Sequence, residues 1–227
     1  MTYGIPDYRL PKDVLLREIQ DIVDLGVELR TGVALGRDFT VDDLESQGYK
    51  AMFLAVGCQE GVPLDCPGAD AEGILDSVQF LREIAQNKTP EVGSRVAVIG
   101  GGDTAIDSAR SALRLGADEV HLVYRRTRDE MPAHPEEIRE AEHEGVIFHF
   151  LAAPKEIVVS EGKVAGMVCQ QMQLTDWDRS GRRRPEPAEG VEFTLDVDTV
   201  ISAIGQSLDT SCVCVETSRG KICADAH

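Results

Sequence analysis

Val96 to Arg110 reads VAVIGGGDTAIDSAR. Four apolar residues, Val96 to Ile99, run into three glycines, and the glycines run into a helical pattern. That is the strand–turn–helix layout of a G-x-G-x-x-A dinucleotide fingerprint, with Gly100, Gly102 and Ala105 at the deciding positions. Gly100 allows the tight turn. Gly102 offers bare backbone to a pyrophosphate, and Ala105 lets helix and strand pack closely. The helix start adds free N–H groups and a partial positive charge.

The glycines alone would also suit a tight turn in some other α/β unit. The flanking sequence favours the fingerprint. Asp103 to Leu115 carries apolar residues at Ala105, Ile106, Ala109, Ala112 and Leu113, with Gly116 placed to end the helix. A second apolar strand, Val120 to Tyr124, follows and completes a βαβ unit.

The residues after that strand select the nucleotide. A site for NAD places Asp or Glu there, to accept from the ribose 2′-OH. This chain has Arg125, Arg126 and Arg128. Guanidinium forks suit a 2′-phosphate, so the sequence predicts NADPH over NADH. A solvated basic turn is the plainer alternative.

The 227 residues are 42% hydrophobic, enough for one sizeable core or two small ones. A net charge of −17 disfavours nucleic acid and anionic membrane surfaces as partners. No apolar run reaches membrane-spanning length and no secretory signal opens the chain, so a cytoplasmic setting is expected. The six cysteines form no C-x-x-C pair, and Cys212 and Cys214 read as ordinary thiols. No histidine falls into metal-ligand spacing, and His134 reads as a loop residue. The basic run Arg182-Arg183-Arg184 reads as a solvated hairpin tip. Glu136 and Glu137 read as a solvated first helical turn rather than as catalytic carboxylates.

Along the chain, Pro11 to Gly26 predicts a helix, Val27 to Arg30 a strand, and Thr40 the cap of a short helix through Leu44. Ala51 to Val56 predicts a buried strand ending at Gly57. Asp76 and Gln79 form a capping box for a helix over Ser77 to Gln86. Pro135 begins a charged helix that stops at Gly145, followed by a strand at Val146 to Phe150. Lys155–Ser160, Lys163–Leu174 and Val191–Leu195 predict an antiparallel layer. A last strand, Val197 to Gly205, ends as Ala51 to Gly57 does, in small residues that let a ligand approach.

Three stretches together resemble a known family: Gly4 to Pro11 (GIPDYRLP), VAVIGGGDTAIDSAR, and Val123 to Ala133 (VYRRTRDEMPA). They are similar to the small (beta) subunit of NADPH-dependent glutamate synthase and related FAD-dependent NAD(P)H oxidoreductases, including the flavin module of dihydropyrimidine dehydrogenase. The resemblance covers nearly the whole chain. It implies a Rossmann-like α/β flavoprotein fold with two dinucleotide-binding domains. In it a parallel sheet carries an antiparallel β layer, and the NADPH domain (91–195) is inserted into a partial FAD domain (1–90 and 196–227). By resemblance Gly101, Gly102, Asp103 and Thr104 hold the NADPH pyrophosphate, and Arg125 and Arg126 hold the 2′-phosphate. Ala203, Ile204 and Gly205 line the nicotinamide, and Arg9 and Leu35 touch FAD.

The family's FAD fingerprint would precede Gly4, and its G-G-D segment would follow His227. Its N-terminal iron–sulfur cysteines also fall outside this sequence. The expectation is therefore the NADPH-binding core of an FAD-dependent oxidoreductase, a fragment that passes hydride from NADPH to flavin. It would be completed by further segments or a larger redox subunit. No acid, base or nucleophile is assigned, because hydride transfer asks the protein for positioning and water exclusion. Two other readings stand beside it: an NADPH-binding module inactive alone, and a remnant offering only an interaction surface.

Overall fold

The computed structural model describes residues 1–178 and 181–209, with backbone pairing alone at 217–218 and 221–222. It divides into two compact units. One comprises Met1–Leu10 and Gly61–Gly205, the other Pro11–Glu60 and Gln206–His227.

In the smaller unit, α1 (Lys12–Asp24) starts behind Pro11, whose ring presets the entry dihedral. The left-handed Gly26 stops it. Helix α2 (Val41–Ser46) carries a complete capping box between Thr40 and Asp43. The strands expected at Val27–Arg30 and Ala51–Val56 do not form. A strand exists only through a neighbour that takes its N–H and C=O groups, and none pairs with these runs among the described residues. Phe53 is 93% exposed, so the run expected to be buried is not.

A two-residue strand, β1 (Glu60–Gly61), stands where the smaller unit's sequence gives way to the larger unit's. Next come β2 (Ile74–Asp76) and α3 (Ser77–Ala85). The Asp76 carboxylate accepts from Gln79 N–H at 2.7 Å, while the Gln79 amide turns to Glu83 rather than closing the box. The fingerprint unit follows as β3 (Arg95–Ile99), α4 (Asp103–Arg114) and β4 (Glu119–Tyr124), then α5 (Pro135–Glu144) and β5 (Ile147–Phe150). Strands β6 (Ala152–Ser160), β7 (Lys163–Trp177) and β8 (Arg183–Leu195) form the antiparallel layer, and β9 (Thr199–Ser202) returns to the first sheet. The smaller unit then resumes with β10 (Gln206–Ser207) and the antiparallel pair β11 (Thr217–Ser218) and β12 (Lys221–Ile222).

The main sheet is parallel throughout, in the order β2-β9-β3-β4-β5. Alternation of side chains builds its two faces. Val96 and Val98 of β3, with Val120 and Leu122 of β4, pack on Phe80, Leu81, Ile106, Ala109, Ile138 and Ala141 of the helices. Ala97, Ile99 and Val123 point the other way, onto Ile157, Val164, Met167 and Leu195 of the antiparallel layer. Both faces are dry, which is why these strands read as continuous apolar runs.

The sheet is wider than residues 91–195. Its partners for β3 include β9 at Thr199–Ser202, and β2 at Ile74–Asp76 lies beyond that. The antiparallel strands are longer than their apolar stretches, since β7 reaches Trp177 and β8 begins at Arg183. Strand β8 is an edge strand, where Pro185 and Pro187 cost no ladder bond. The β6–β7 turn at Glu161 and Gly162 has φ of 52° and 82°, the paired left-handed geometry of a tight hairpin. Among the described residues no helix is long and apolar enough to cross a membrane.

Candidate functional site

Parallel strands bring their carboxyl ends to one edge of the sheet. There the order reverses between β3, which leads on to β4, and β9, which returns from the far end of the sequence. That reversal is where open α/β sheets leave a crevice for nucleotides. Gly100 and Ala203 face each other across it. Gly100 has φ of +149°, and a Cβ there would stand 2.4 Å from the Ala203 carbonyl oxygen. Ala203 cannot yield easily, because its N–H donates to Ile99 O at 2.8 Å.

Gly101 is crowded for another reason: a Cβ there would reach 2.4 Å from the Tyr124 ring. That ring is pinned by its hydroxyl, which donates to Glu130 O at 2.7 Å. Gly102 differs from both. A Cβ there would meet only Pro132 Cγ, at 3.8 Å. Gly102 is the N-cap of α4, and no side chain caps that helix. Ala105 is fully buried against the turn. The helix start thus presents bare backbone beside an open approach, which fits a pyrophosphate.

Asp103 in the first turn would oppose an anion if it faced the approach, but its carboxylate is engaged. It accepts from the His134 backbone N–H at 3.1 Å, lies 3.1 Å from His134 Nδ1 and sits 3.8 Å from Arg9. His134, expected as a plain loop residue, is also the N-cap residue of α5. Thr104 is half-buried, and its carbonyl accepts from the Ser108 hydroxyl at 2.8 Å.

The three arginines after β4 do not act alike. Arg125 is exposed, and no ion pair or hydrogen bond engages its side chain among the described residues. Arg126 is buried. Its Nε donates to Arg183 O and its Nη2 to Asp178 Oδ2, both at 2.7 Å. Arg128 forms a two-pronged ion pair with Glu142 of α5. An acidic chain offers Arg126 and Arg128 a carboxylate each, so of the three arginines expected at a 2′-phosphate only Arg125 is without a partner among the described residues.

Arg9, expected to touch FAD, is likewise engaged within the chain. Its guanidinium lies 2.7 Å from Asp107, 3.2 Å from Glu137 and 3.8 Å from Asp103, so it clamps the N-terminal segment to α4 and α5. Tyr8 lies beneath the guanidinium groups of Arg110 and Arg114, 4.7 and 3.7 Å from its ring centre. Burial, with Asp107 adding to it, pushes the Tyr8 hydroxyl up to about 12. Burial also raises the Asp107 carboxyl to about 6, against the opposing pull of Arg9. Glu137, expected to be solvated, is bound by Arg9 and by Arg110 at 2.5 Å. Leu35 lies in the smaller unit, bridged to Phe39.

Ile204 is exposed and Gly205, at φ +153°, accepts from Val62 N–H at 3.0 Å. Both follow Ala203, which alone of the three meets the glycine turn, at Gly100. Of the thiols described, Cys58 is exposed and Cys169 is buried, its thiol pKa pushed up to about 12 by that burial. Cys212, Cys214 and Cys223 lie outside the described residues. Among the described residues no group of three or more His, Cys, Asp or Glu could hold a metal ion.

Residues 13–227 match the family model for pyridine nucleotide-disulphide oxidoreductases. This chain belongs to that family. Its relatives include the beta subunit of an NADP(+)-dependent formate dehydrogenase from Moorella thermoacetica, 48% identical over 214 residues. That match covers 93% of this chain and 30% of the relative. The glutamate synthase [NADPH] small chain of Escherichia coli is 37% identical over 219 residues, covering 90% of this chain and 46% of its own. The chain thus spans 30% and 46% of the length of these two curated relatives. Among solved structures, Mycobacterium tuberculosis FprA in complex with NADPH superposes with a TM-score of 0.76 at 20% identity, over 92% of this chain and 62% of FprA. At that identity the likeness speaks for the shared fold of this oxidoreductase family.

Proposed function

We propose that this chain is the NADPH-binding core of an FAD-dependent oxidoreductase of the glutamate synthase small-subunit type. One observation carries the reading: the uncapped start of α4 at the bare Gly102 stands in the same βαβ unit as Arg125, which has no partner among the described residues. Relatives named for NADPH- and NADP(+)-dependent activities support it. When bound, the nicotinamide supplies a hydride and the flavin accepts it.

The chain's own residues have four tasks. Backbone N–H groups at Gly102, Asp103 and Thr104 hold the pyrophosphate, aided by the helix dipole. Gly100 and Gly101 keep the turn low enough for that approach. Arg125 pairs with the 2′-phosphate. Ala203, Ile204 and Gly205 line the nicotinamide end with small or apolar surface that excludes water. No side chain here is asked to move a proton. We place FAD with the smaller unit, including Leu35, and with further segments or a partner redox subunit, in a cytoplasmic setting.

The test is nucleotide selectivity. Arg125→Ala should weaken NADPH binding about tenfold or more and leave NADH within about twofold, since a charge-assisted pair to phosphate is lost only from the former. Calorimetric titration with each nucleotide checks this. Equal losses for both would remove Arg125 from the 2′-phosphate. Heat from neither nucleotide with the unaltered chain would overturn the NADPH reading itself.

A further inference from the structure

The basic run Arg182-Arg183-Arg184 is only partly solvated: Arg184 is exposed, whereas Arg182 and Arg183 are half-buried. It folds back onto the loop that follows β4. Arg126, 5% exposed at its side chain, holds it from below through Arg183 O and Asp178. From above, Arg183 Nε donates to Glu130 at 2.9 Å, and Glu130 is itself 9% exposed. These charge-assisted contacts hold Arg183 against the loop as a wall.

Between that wall and the loop lies a groove of about 930 Å³. Met131 and Pro132 form one side, and Trp177 with Arg182 and Arg183 forms the other. Pro132 is also the neighbour nearest to the bare Gly102, so the groove opens beside the start of α4. Trp177 is the chain's only tryptophan and is 71% exposed. Its flanking residues, Asp176 and Asp178, are both acidic, so no apolar cluster in the sequence explains the ring.

Charge decides what the groove suits. Asp129 and Glu130 line it against Arg182 and Arg183, so the signs balance. A phosphate gains little there, whereas a flat, neutral ring gains the faces of Trp177, Met131 and Pro132. We infer that this groove holds the adenine base of the dinucleotide, with Trp177 as its stacking platform and Arg182 and Arg183 as part of the site. Arg126 then works as a positioning residue, holding the platform rather than the phosphate. The inference rests on the NADPH reading and adds the base subsite to it.

The probe is 2′,5′-ADP, which carries the adenine and the 2′-phosphate without nicotinamide. Added to the full chain, it should quench Trp177 emission saturably, with the midpoint that calorimetry gives. Trp177→Ala should weaken its binding about tenfold, and Trp177→Phe should stay within about twofold, because stacking needs a π-face. Inorganic pyrophosphate, which uses only the turn, should bind wild type and Trp177→Ala alike. Unaltered melting of Trp177→Ala separates lost stacking from lost fold. Heat of binding with no change in emission and no loss in Trp177→Ala would overturn the base subsite while leaving NADPH binding intact. No heat from either 2′,5′-ADP or NADPH would overturn both.

Discussion

Replacing Gly100 with Ala should destabilise the larger unit by about 3 kcal/mol and abolish measurable NADPH binding. Two costs add. The backbone at φ +149° lies where L side chains are strained, and the new methyl would stand 2.4 Å from the Ala203 carbonyl oxygen. Neither obstacle is the mobile end of a side chain. Ala203 is held to Ile99, and the next contact, Ala105 Cβ at 3.1 Å, sits on a fully buried helix face. Relief would have to come from parting β3 and β9, which are paired in parallel over four residues. Denaturant unfolding with a calorimetric titration checks both halves. A variant within about 1 kcal/mol of wild type would show that the turn is looser than its geometry.

The same methyl at Gly102 should do the opposite. It would find only Pro132 Cγ at 3.8 Å, so stability should change by less than about 1 kcal/mol. Affinity should still fall about tenfold or more, because the methyl occupies the surface a pyrophosphate must touch. The pair of variants separates a glycine needed for the fold from one needed for the ligand.

The main-sheet core was legible because the strands of the fingerprint unit are apolar over Val96–Ile99 and, His121 apart, over Val120–Tyr124, and each helix end carries its own signal. Gly116 and Gly145 both take left-handed φ at the predicted stops. What the sequence could not show was pairing. Ala51–Val56 has a strand's composition, yet strands are made by neighbours, and none pairs with it among the described residues. Strand β8 was hidden by the reverse effect. Its residues 183–190 are polar and contain two prolines, but edge pairing with β7 tolerates both. At the site, the glycines were readable because their roles are steric and local. The arginines were not. Whether Arg125, Arg126 or Arg128 is free depends on carboxylates at Asp178 and Glu142, which only folding brings near. The lone aromatic Trp177 in a polar hairpin and the GIPDYRLP run were the available signals for the two features that sequence reasoning missed.

Arg9→Ala should cost about 3 kcal/mol of stability near neutral pH, the usual loss when one partner of a buried ion pair is removed. The guanidinium is the nearest cation to Asp107, at 2.7 Å, and it also serves Glu137 and Asp103. Without it Asp107, fully buried and with its Oδ1 unpartnered among the described residues, must carry its charge alone or keep its proton. The pH dependence tells these apart from simple loss of packing. Asp107 folds with its pKa raised from the ordinary carboxyl value of 3.8 to about 6, mainly by burial. A carboxyl raised on folding contributes stability that is full below about pH 4 and is lost as pH rises through 6. Removing Arg9 raises the folded pKa further, so the decline should continue above pH 6. The gap between wild type and Arg9→Ala should then be small at pH 5 and widest near pH 8. Asp107→Asn in the Arg9→Ala background should recover most of the loss at pH 8, because an amide has no charge to bury. Melting curves of the three proteins between pH 5 and 8 decide the matter. A gap that is the same at every pH would mean that Arg9 acts through packing alone and that Asp107 is not the group it compensates.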